Sequence, residues 1–468
     1  MADKTQLVVV GAGPGGYAAA FHAADRGLEV TLVDPEANPG GVCLYRGCIP
    51  SKALLHAAKV IHEARAAADF GVRFGDPAID VGRLRAWKDG VVGKLTGGLG
   101  QLTRQRKVRY VRGRARLLDR STLAIEGGAD GTMQLAFDHA ILATGSRPVA
   151  LPGFPQSPRV LDATSALDVE NVPGRLLVVG GGYIGLELGS VYAALGSRVI
   201  VVEMLPGLLP GVDRDLVRPL AKRLEAECES IRLETRVATV EERGAGLAVR
   251  FDGAAEPEVF DSVLVAVGRK PDSEGIGLEA TRVRIDERGF VAVDAQLRTA
   301  EPSISAIGDL VGQPMLAHKA SHEGRTAVEA IAGHKVAFEP AAIPAVVFTD
   351  PEIAWCGLTE DEAKSQGRAV EVARFPWAAS GRALTLGRDD GLTKLVLDPE
   401  TERVLGVGIV GPGAGELIAE GVLAVEMGAT ARDLALTIHP HPTLSETVME
   451  AAEVFFGHST HLFRPKRR

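Results

Sequence analysis

Gln6-Leu7-Val8-Val9-Val10-Gly11-Ala12-Gly13-Pro14-Gly15-Gly16 decides the fold. An apolar strand runs into a glycine turn, and the spacing predicts a helix over Tyr17 to Arg26 and a second strand over Val30 to Val33, ending at Asp34. In Gly11-x-Gly13-x-x-Gly16 the first glycine allows the tight turn and the second lets backbone approach a pyrophosphate. The third lets helix and strand pack closely, leaving a phosphate to sit against the helix N-terminus. Asp34 then stands where an acid accepts a ribose hydroxyl. This is a mononucleotide-binding unit with strand, helix and acid all present.

The same pattern returns at Leu176-Leu177-Val178-Val179-Gly180-x-Gly182-x-x-Gly185, with a helix to Leu195 and a strand Val199 to Val202 ending at Glu203. The offset from Gly180 to Glu203 equals that from Gly11 to Asp34. Two such units imply two dinucleotides, and a redox enzyme carrying a flavin and a nicotinamide is the economical reading. An NADP site commonly sets Arg near the 2′-phosphate. Here Glu203 is followed by Met204, Leu205 and Pro206, with no Arg before Arg214, so the second site reads as one for NAD. Leu176 to Leu195 has the length of a membrane span, but its glycines and Glu187 make it strand, turn and helix. Each unit closes alike, at Ala140-Ile141-Leu142-Ala143-Thr144-Gly145-Ser146-Arg147-Pro148 and Val263-Leu264-Val265-Ala266-Val267-Gly268-Arg269-Lys270-Pro271, which read as hinges between domains. Leu151 to Pro155 and Asn171 to Gly174 read as linkers.

Soon after Asp34 comes Gly40-Gly41-Val42-Cys43-Leu44-Tyr45-Arg46-Gly47-Cys48-Ile49-Pro50-Ser51-Lys52, which holds two of four cysteines. In a regular helix, residues five apart would set Cα atoms roughly 8.6 Å apart, beyond the ~7 Å reach of a disulfide. Pairing therefore needs a bend, which Gly47 permits, and Pro50 fits the first turn of a helix through Ile61. A thiol at that helix N-terminus would feel the positive end of its dipole and tend to the thiolate. Two cysteines that never pair are the plain alternative, and the surroundings must decide. Cys228 and Cys356 lack close partners and read as structural.

With 468 residues, 46% hydrophobic and 24% charged, the chain is globular and long enough for three or four domains. Its net charge of −8 is spread through mixed-sign sequence, and the basic runs Arg104 to Arg116 and Arg464 to Arg468 are short, so nucleic acid is not an expected partner. No signal or transit peptide is evident before the first strand, which reads as a cytosolic protein with no membrane partner. Four cysteines make no disulfide framework and leave room for one redox pair. Farther on, Gly308-Asp309 reads as an ordinary turn or as an acid holding ribityl hydroxyls. Near the end, two prolines hold His441 out of any helix in His439-Pro440-His441-Pro442-Thr443-Leu444-Ser445-Glu446, and Thr443-x-x-Glu446 is a capping-box pattern. Glu446 reads either as a cap or as the carboxylate orienting a proton-transfer histidine.

Taken together, Gly-Gly-x-Cys-Leu-x-x-Gly-Cys-Ile-Pro-Ser-Lys, Gly308-Asp309 with Met315-Leu316-Ala317-His318, Phe375 to Ala383, and His439-x-His441-Pro442-Thr443 resemble the flavin-dependent pyridine nucleotide-disulfide oxidoreductases end to end. The resemblance implies an α/β fold: two Rossmann-like domains for FAD (1–148) and NAD (149–271), a central domain completing the FAD site (272–344), and a C-terminal α+β dimerisation domain (345–468). It implies NAD-linked oxidation of protein-bound dihydrolipoamide by a homodimer. The lipoyl domain of an acyltransferase, or a glycine-cleavage carrier protein, is then the partner, with no metal. Position by position, Cys43 becomes the thiol exchanging with substrate and Cys48 the flavin's charge-transfer partner, with His441 of the opposite subunit the acid–base and Glu446 its orienter. FAD would be held by Gly11, Gly13, Gly16, Asp34, Lys52, Thr144, Gly145, Asp309, Met315, Leu316, Ala317 and His318. NAD would be held by Gly180, Gly182, Gly185, Glu187, Glu203 and Gly268, with Glu187 also pairing Lys52 beside the flavin. A glutathione-reductase-like enzyme would be expected to show NADPH-directed arginines, and a non-catalytic NADH-sensing flavoprotein would not need the cysteine pair or His441. One departure stands out: Tyr45-Arg46 lies where the family often has Asn-Val.

Overall fold

The computed structural model describes residues 3–128 and 131–463; the basic run Arg464 to Arg468 lies outside them. The first unit opens with β1 (Asp3–Val10), α1 (Pro14–Asp25) and β2 (Val30–Asp34). Leu7 to Val10 are buried on both faces of β1, as a parallel central strand requires, and each such side chain contributes about 1.5–3 kcal/mol. The chain continues through α2 (Gly41–Arg46), α3 (Cys48–Ala66), α4 (Val81–Gln105), β3 (Arg109–Arg112), β4 (Arg114–Leu117), β5 (Thr122–Gly128) and β6 (Gly131–Leu142). The sheet order is β3-β2-β1-β6-β5-β4, with β1, β2, β3 and β6 parallel and β4, β5 a returning antiparallel edge.

The chain leaves through β7 (Ser146–Pro148), then builds a second parallel sheet from β8 (Val160–Leu161), β9 (Arg175–Val179), α5 (Tyr183–Leu195), β10 (Arg198–Val202), α6 (Arg214–Glu227) and β11 (Ser230–Arg232). A three-stranded antiparallel sheet comes next, β12 (Val237–Arg243), β13 (Gly246–Phe251) and β14 (Glu258–Phe260). Then β15 (Ser262–Val265) returns between β9 and β8, giving the order β11-β10-β9-β15-β8. The next strand, β16 (Arg269–Pro271), pairs antiparallel with β7, so the two exit segments read as hinges are zipped to one another. Complementary charge explains why: Arg147 pairs with Asp272 and Glu274, and Arg269 donates to Ser146.

After this ribbon, β17 (Ile304–Ala306) joins the first sheet beside β6, and α7 (Ala317–Ile331) packs on α1. The crossing is close because both contact points are glycines: a Cβ on Gly324 would come within 2.7 Å of the Gly15 carbonyl oxygen.

The last region is antiparallel, β18 (Ala345–Val347), β19 (Ile353–Gly357), α8 (Glu360–Ser365), β20 (Glu371–Pro376), α9 (Gly381–Thr385), β21 (Leu392–Leu397) and β22 (Val404–Val410), ordered β18-β19-β22-β21-β20. It is covered by α10 (Ala414–Glu426), α11 (Ala431–Leu436) and α12 (Glu446–Phe456). Trp377 is fully buried there and donates its indole N–H to Thr393, which meets Thr447 of α12. The Phe375 to Ala383 run thus supplies core. Among the described residues, no helix is long and apolar enough to cross a membrane.

Candidate active site

The two nucleotide turns are built identically. A Cβ on Gly11 would lie 2.3 Å from the Ala143 carbonyl oxygen, and one on Gly180 would lie 2.5 Å from that of Ala266. A Cβ on Gly16 would strike the Gly11 oxygen at 1.8 Å, and one on Gly185 the Gly180 oxygen at 2.2 Å. The acids match as well. Asp34 accepts from the backbone N–H of Ala12 (2.7 Å) and Glu36 (2.9 Å), and Glu203 accepts from Gly181 (2.7 Å) and Leu205 (2.9 Å). Each carboxylate is thereby aimed at the turn preceding its helix. Burial raises Asp34 above the ordinary aspartate range despite its two amide donors.

Cys43 lies in α2, a short helix that the local sequence did not announce, and Cys48 is the first residue of α3. The chain bends between them at Gly47, where a Cβ would come within 2.9 Å of the Val42 oxygen and 3.4 Å of Cys43 Cα. Close approach requires glycine there. Both cysteines are free thiols that line the same cavity wall. The adjoining Cys43 thiol, with the nearby Lys52 ammonium, draws Cys48 down to about 7. The adjoining Cys48 and burial push Cys43 up, which makes Cys48 the readier thiolate of the two. By contrast, burial pushes Cys228 and Cys356 up to about 12, which suits inert thiols.

Gly11, Gly13, Asp34, Cys43, Cys48, Lys52, Thr144, Gly145, Glu187, Asp309, Met315 and Ala317 all line one cavity of about 450 Å³. Gly145, whose φ is +77°, would have nothing within 4 Å of an added Cβ, so backbone there faces open space. Cys48 is exposed toward this cavity. Gly16 packs behind it, and Leu316 precedes α7 outside the lining. His318 turns away from it and meets the Pro344 carbonyl at 2.8 Å. Gly180, Gly182, Gly185, Glu203 and Gly268 belong to the second turn, outside the cavity. Gly182 and Gly268 have nothing within 4 Å of an added Cβ, leaving room for a ligand's approach. Glu187, grouped above with the NAD residues, stands apart from them: it is buried, and its Oε2 lies 2.8 Å from Lys52 Nζ.

Some residues at the cavity had no sequence signal. Ser146 hydrogen-bonds Asp309, and Arg269 donates to Ser146 Oγ at 2.7 Å, so the two exit segments fix the Asp309 carboxylate at the cavity. Buried Glu323 accepts from the Gly308 N–H at 2.7 Å and pairs with Lys319 at 2.7 Å, holding the Gly308-Asp309 turn. Tyr183, at the start of α5, lines the cavity, and burial pushes its phenol up to about 12. The departure at Tyr45-Arg46 also acquires contacts. Arg46 pairs with Glu36 at 2.5 Å and Tyr45 Oη donates to the Asn38 carbonyl at 3.0 Å, strapping α2 to the loop behind Asp34.

His441 and Glu446 are not in the cavity lining of their own chain. His441 Nδ1 lies 2.8 Å from Glu446 Oε1, and Glu446 Oε2 accepts from the Thr443 N–H at 2.8 Å. The capping-box reading is corrected by two residues: α12 begins at Glu446 itself, after Ser445, so Glu446 reaches back as its first residue and not its third. Nearby Leu436 and Ile438 are 74% and 95% exposed, an apolar edge that needs a covering surface.

Two glycine turns of the dinucleotide-binding kind, a carboxylate bonded to each and a dithiol on a cavity wall define a dinucleotide-dependent thiol–disulfide oxidoreductase. The chain belongs to the pyridine nucleotide-disulphide oxidoreductase family: residues 5–324 match the family model, and residues 343–452 match its dimerisation domain. It is 52% identical over 463 residues to dihydrolipoyl dehydrogenase of Vibrio parahaemolyticus, covering 98% of this chain and 97% of the relative. It is 51% identical over 468 residues to that of Haemophilus influenzae, covering 99% and 98%. Among solved structures it resembles LpdA from Mycobacterium tuberculosis, with TM-score 0.90 and 29% identity over 96% of this chain and 99% of that one. It also resembles the HOCl-induced flavoprotein disulfide reductase RclA from Escherichia coli, with TM-score 0.86 and 27% identity over 96% and 99%.

Proposed function

We propose that this chain oxidises dihydrolipoamide, holding FAD on the first nucleotide unit and NAD on the second: dihydrolipoamide + NAD⁺ → lipoamide + NADH + H⁺. The observation that carries this reading is the Cys43–Cys48 pair on the wall of a cavity that also presents the first glycine turn and Asp309. Bound FAD supplies the two-electron relay from the Cys48 thiolate to NAD⁺. The chain's own residues do the thiol chemistry. With the pair as a disulfide, a substrate thiolate attacks Cys43 Sγ and Cys48 leaves as a thiolate. The second substrate thiol then attacks the mixed disulfide, closing lipoamide and releasing Cys43. One substrate proton stays on the Cys43 thiol and the other goes to His441 Nε2, while Glu446 holds Nδ1.

His441 serves the partner subunit's cavity in this reading, because it stands clear of its own and beside the exposed Leu436–Ile438 edge. A lipoyl domain of an acyltransferase, or a glycine-cleavage carrier, delivers the substrate. Sparse cysteines fit work in the cytosol. Cys43→Ser and Cys48→Ser should each abolish lipoamide turnover while FAD stays bound. Normal turnover in either variant overturns the mechanism.

A further inference from the structure

The Lys52–Glu187 pair has a third member. Phe348 follows β18 in the C-terminal unit, yet its backbone N–H donates to Glu187 Oε1 at 2.9 Å. Its ring lies under Lys52 Nζ, 4.5 Å from ammonium to centroid. Glu187 therefore has both oxygens engaged, one by Lys52 and one by Phe348, while Lys52 is held between a carboxylate and an aromatic face. Three chain segments meet here: α3, which begins at Cys48, α5 of the second nucleotide unit, and the start of the C-terminal sheet.

The arrangement matters because Lys52 and Glu187 act on the Cys48 thiolate with opposite sign, the ammonium stabilising it and the carboxylate opposing it. Their net effect depends on which lies nearer, and only a fixed geometry keeps that constant. Lys52 is 31% exposed on a flexible stem, and its ion pair alone leaves it room to swing. The ring removes that freedom.

We propose that Phe348 is a positioning residue of the redox centre, fixing Lys52 and Glu187 as one unit beside Cys48 and making the C-terminal unit part of the electron-transfer site. This rests on Cys48 being the thiol that faces the flavin. The test is the long-wavelength thiolate–flavin absorbance of the two-electron-reduced holoenzyme, titrated against pH under anaerobic conditions. Phe348→Leu keeps the backbone N–H and apolar bulk but loses the π face. Its band midpoint should rise by about half a pH unit, a roughly twofold loss of thiolate at neutral pH, as expected for a partly exposed cation–π contact. FAD content should be unchanged, and Phe348→Tyr should restore the parent midpoint. Graded ring fluorination at position 348 preserves shape and folding and should shift the midpoint stepwise. A band whose midpoint is the same in parent, Phe348→Leu and the fluorinated series overturns the inference about Phe348 alone. No band in the parent overturns the Cys48 assignment and this inference with it.

Discussion

Nicotinamide selectivity can be worked from Glu203. Glu203 is 8% exposed and its carboxylate is locked by amide donors from Gly181 and Leu205, so it could not turn aside from a ribose bound at the second turn. A 2′-phosphate there would set unit charges about 4 Å apart, worth about 4 kcal/mol at an effective dielectric of 20, or close to a thousandfold in affinity. Glu203→Gln removes the charge but carries only one acceptor oxygen, leaving one of the two amides facing an NH₂ group. NADH should lose a charge-assisted hydrogen bond and about tenfold in kcat/KM. NADPH should gain at most about the thousandfold that the repulsion cost, because nothing attractive is added. Arg214, the first arginine after Glu203 in the chain, is engaged already, donating to the carbonyls of Leu208, Leu209 and Val212. The variant should therefore narrow the preference without inverting it. Steady-state kcat/KM for both nucleotides, with lipoamide as acceptor, reads this out. A parent that uses NADPH within tenfold of NADH, or an unchanged ratio in Glu203→Gln, refutes the reasoning.

Other variants test the scaffold. Lys394 is buried among Asp213 (2.6 Å), Asp215 (2.7 Å) and Glu360 (2.6 Å), so Lys394→Met should destabilise the protein by about 3–5 kcal/mol at neutral pH, measured by denaturant unfolding. Burial opposes ionisation of Asp215, but its bonds to Lys394 and Arg374 hold it below the ordinary range, so its contribution is present above its unfolded pKa and lost as pH falls. The gap between parent and variant should accordingly narrow below about pH 4, and a gap that widens there would contradict this assignment. Gly47→Ala forces a Cβ to within 2.9 Å of the Val42 oxygen and should cost about 1–3 kcal/mol while displacing Cys43 from Cys48. Lipoamide turnover should fall with NADH–ferricyanide activity retained, and equal loss of both would point to general unfolding.

What the sequence reveals and what it hides divide by range. Each glycine turn is legible because steric exclusion acts locally: Gly16 and Gly185 have a carbonyl where a Cβ would sit, so the residue type records the geometry. Asp34 and Glu203 are legible because strand ends fix their offset from the turn. The contacts that finish the site join residues far apart in sequence, as Ser146 to Asp309, Arg269 to Ser146 and Phe348 to Glu187 do. No periodicity encodes such pairings. The region around His441 is intermediate. The Thr443–Glu446 bond was local enough to read, but where α12 starts depended on the fold, and the helix begins at Glu446. Tyr45 and Arg46 were unreadable for the same reason, since Asn38 and Glu36 approach them only after β2 and α2 are docked.

The long-range contacts also tie a region that holds no nucleotide turn to the proposed redox centre. One apolar core takes side chains from Leu54 and Ala58 of α3, from α5 and α6 of the second unit, and from Val347, Ile353 and Val410 of the C-terminal sheet. These three sources lie behind Cys48, behind the second turn and behind Phe348 respectively. A dense core transmits displacement instead of absorbing it. The charged contacts repeat the pattern: Lys394 of β21 ties α6 to the C-terminal sheet, and Phe348 ties that sheet to Lys52 and Glu187. A shift of the C-terminal sheet would therefore move the charges beside the thiolate as well as the surface that bears His441. Cys48, the second nucleotide turn and the partner-facing histidine are held in one frame, as a reaction that passes two electrons between separated substrates requires.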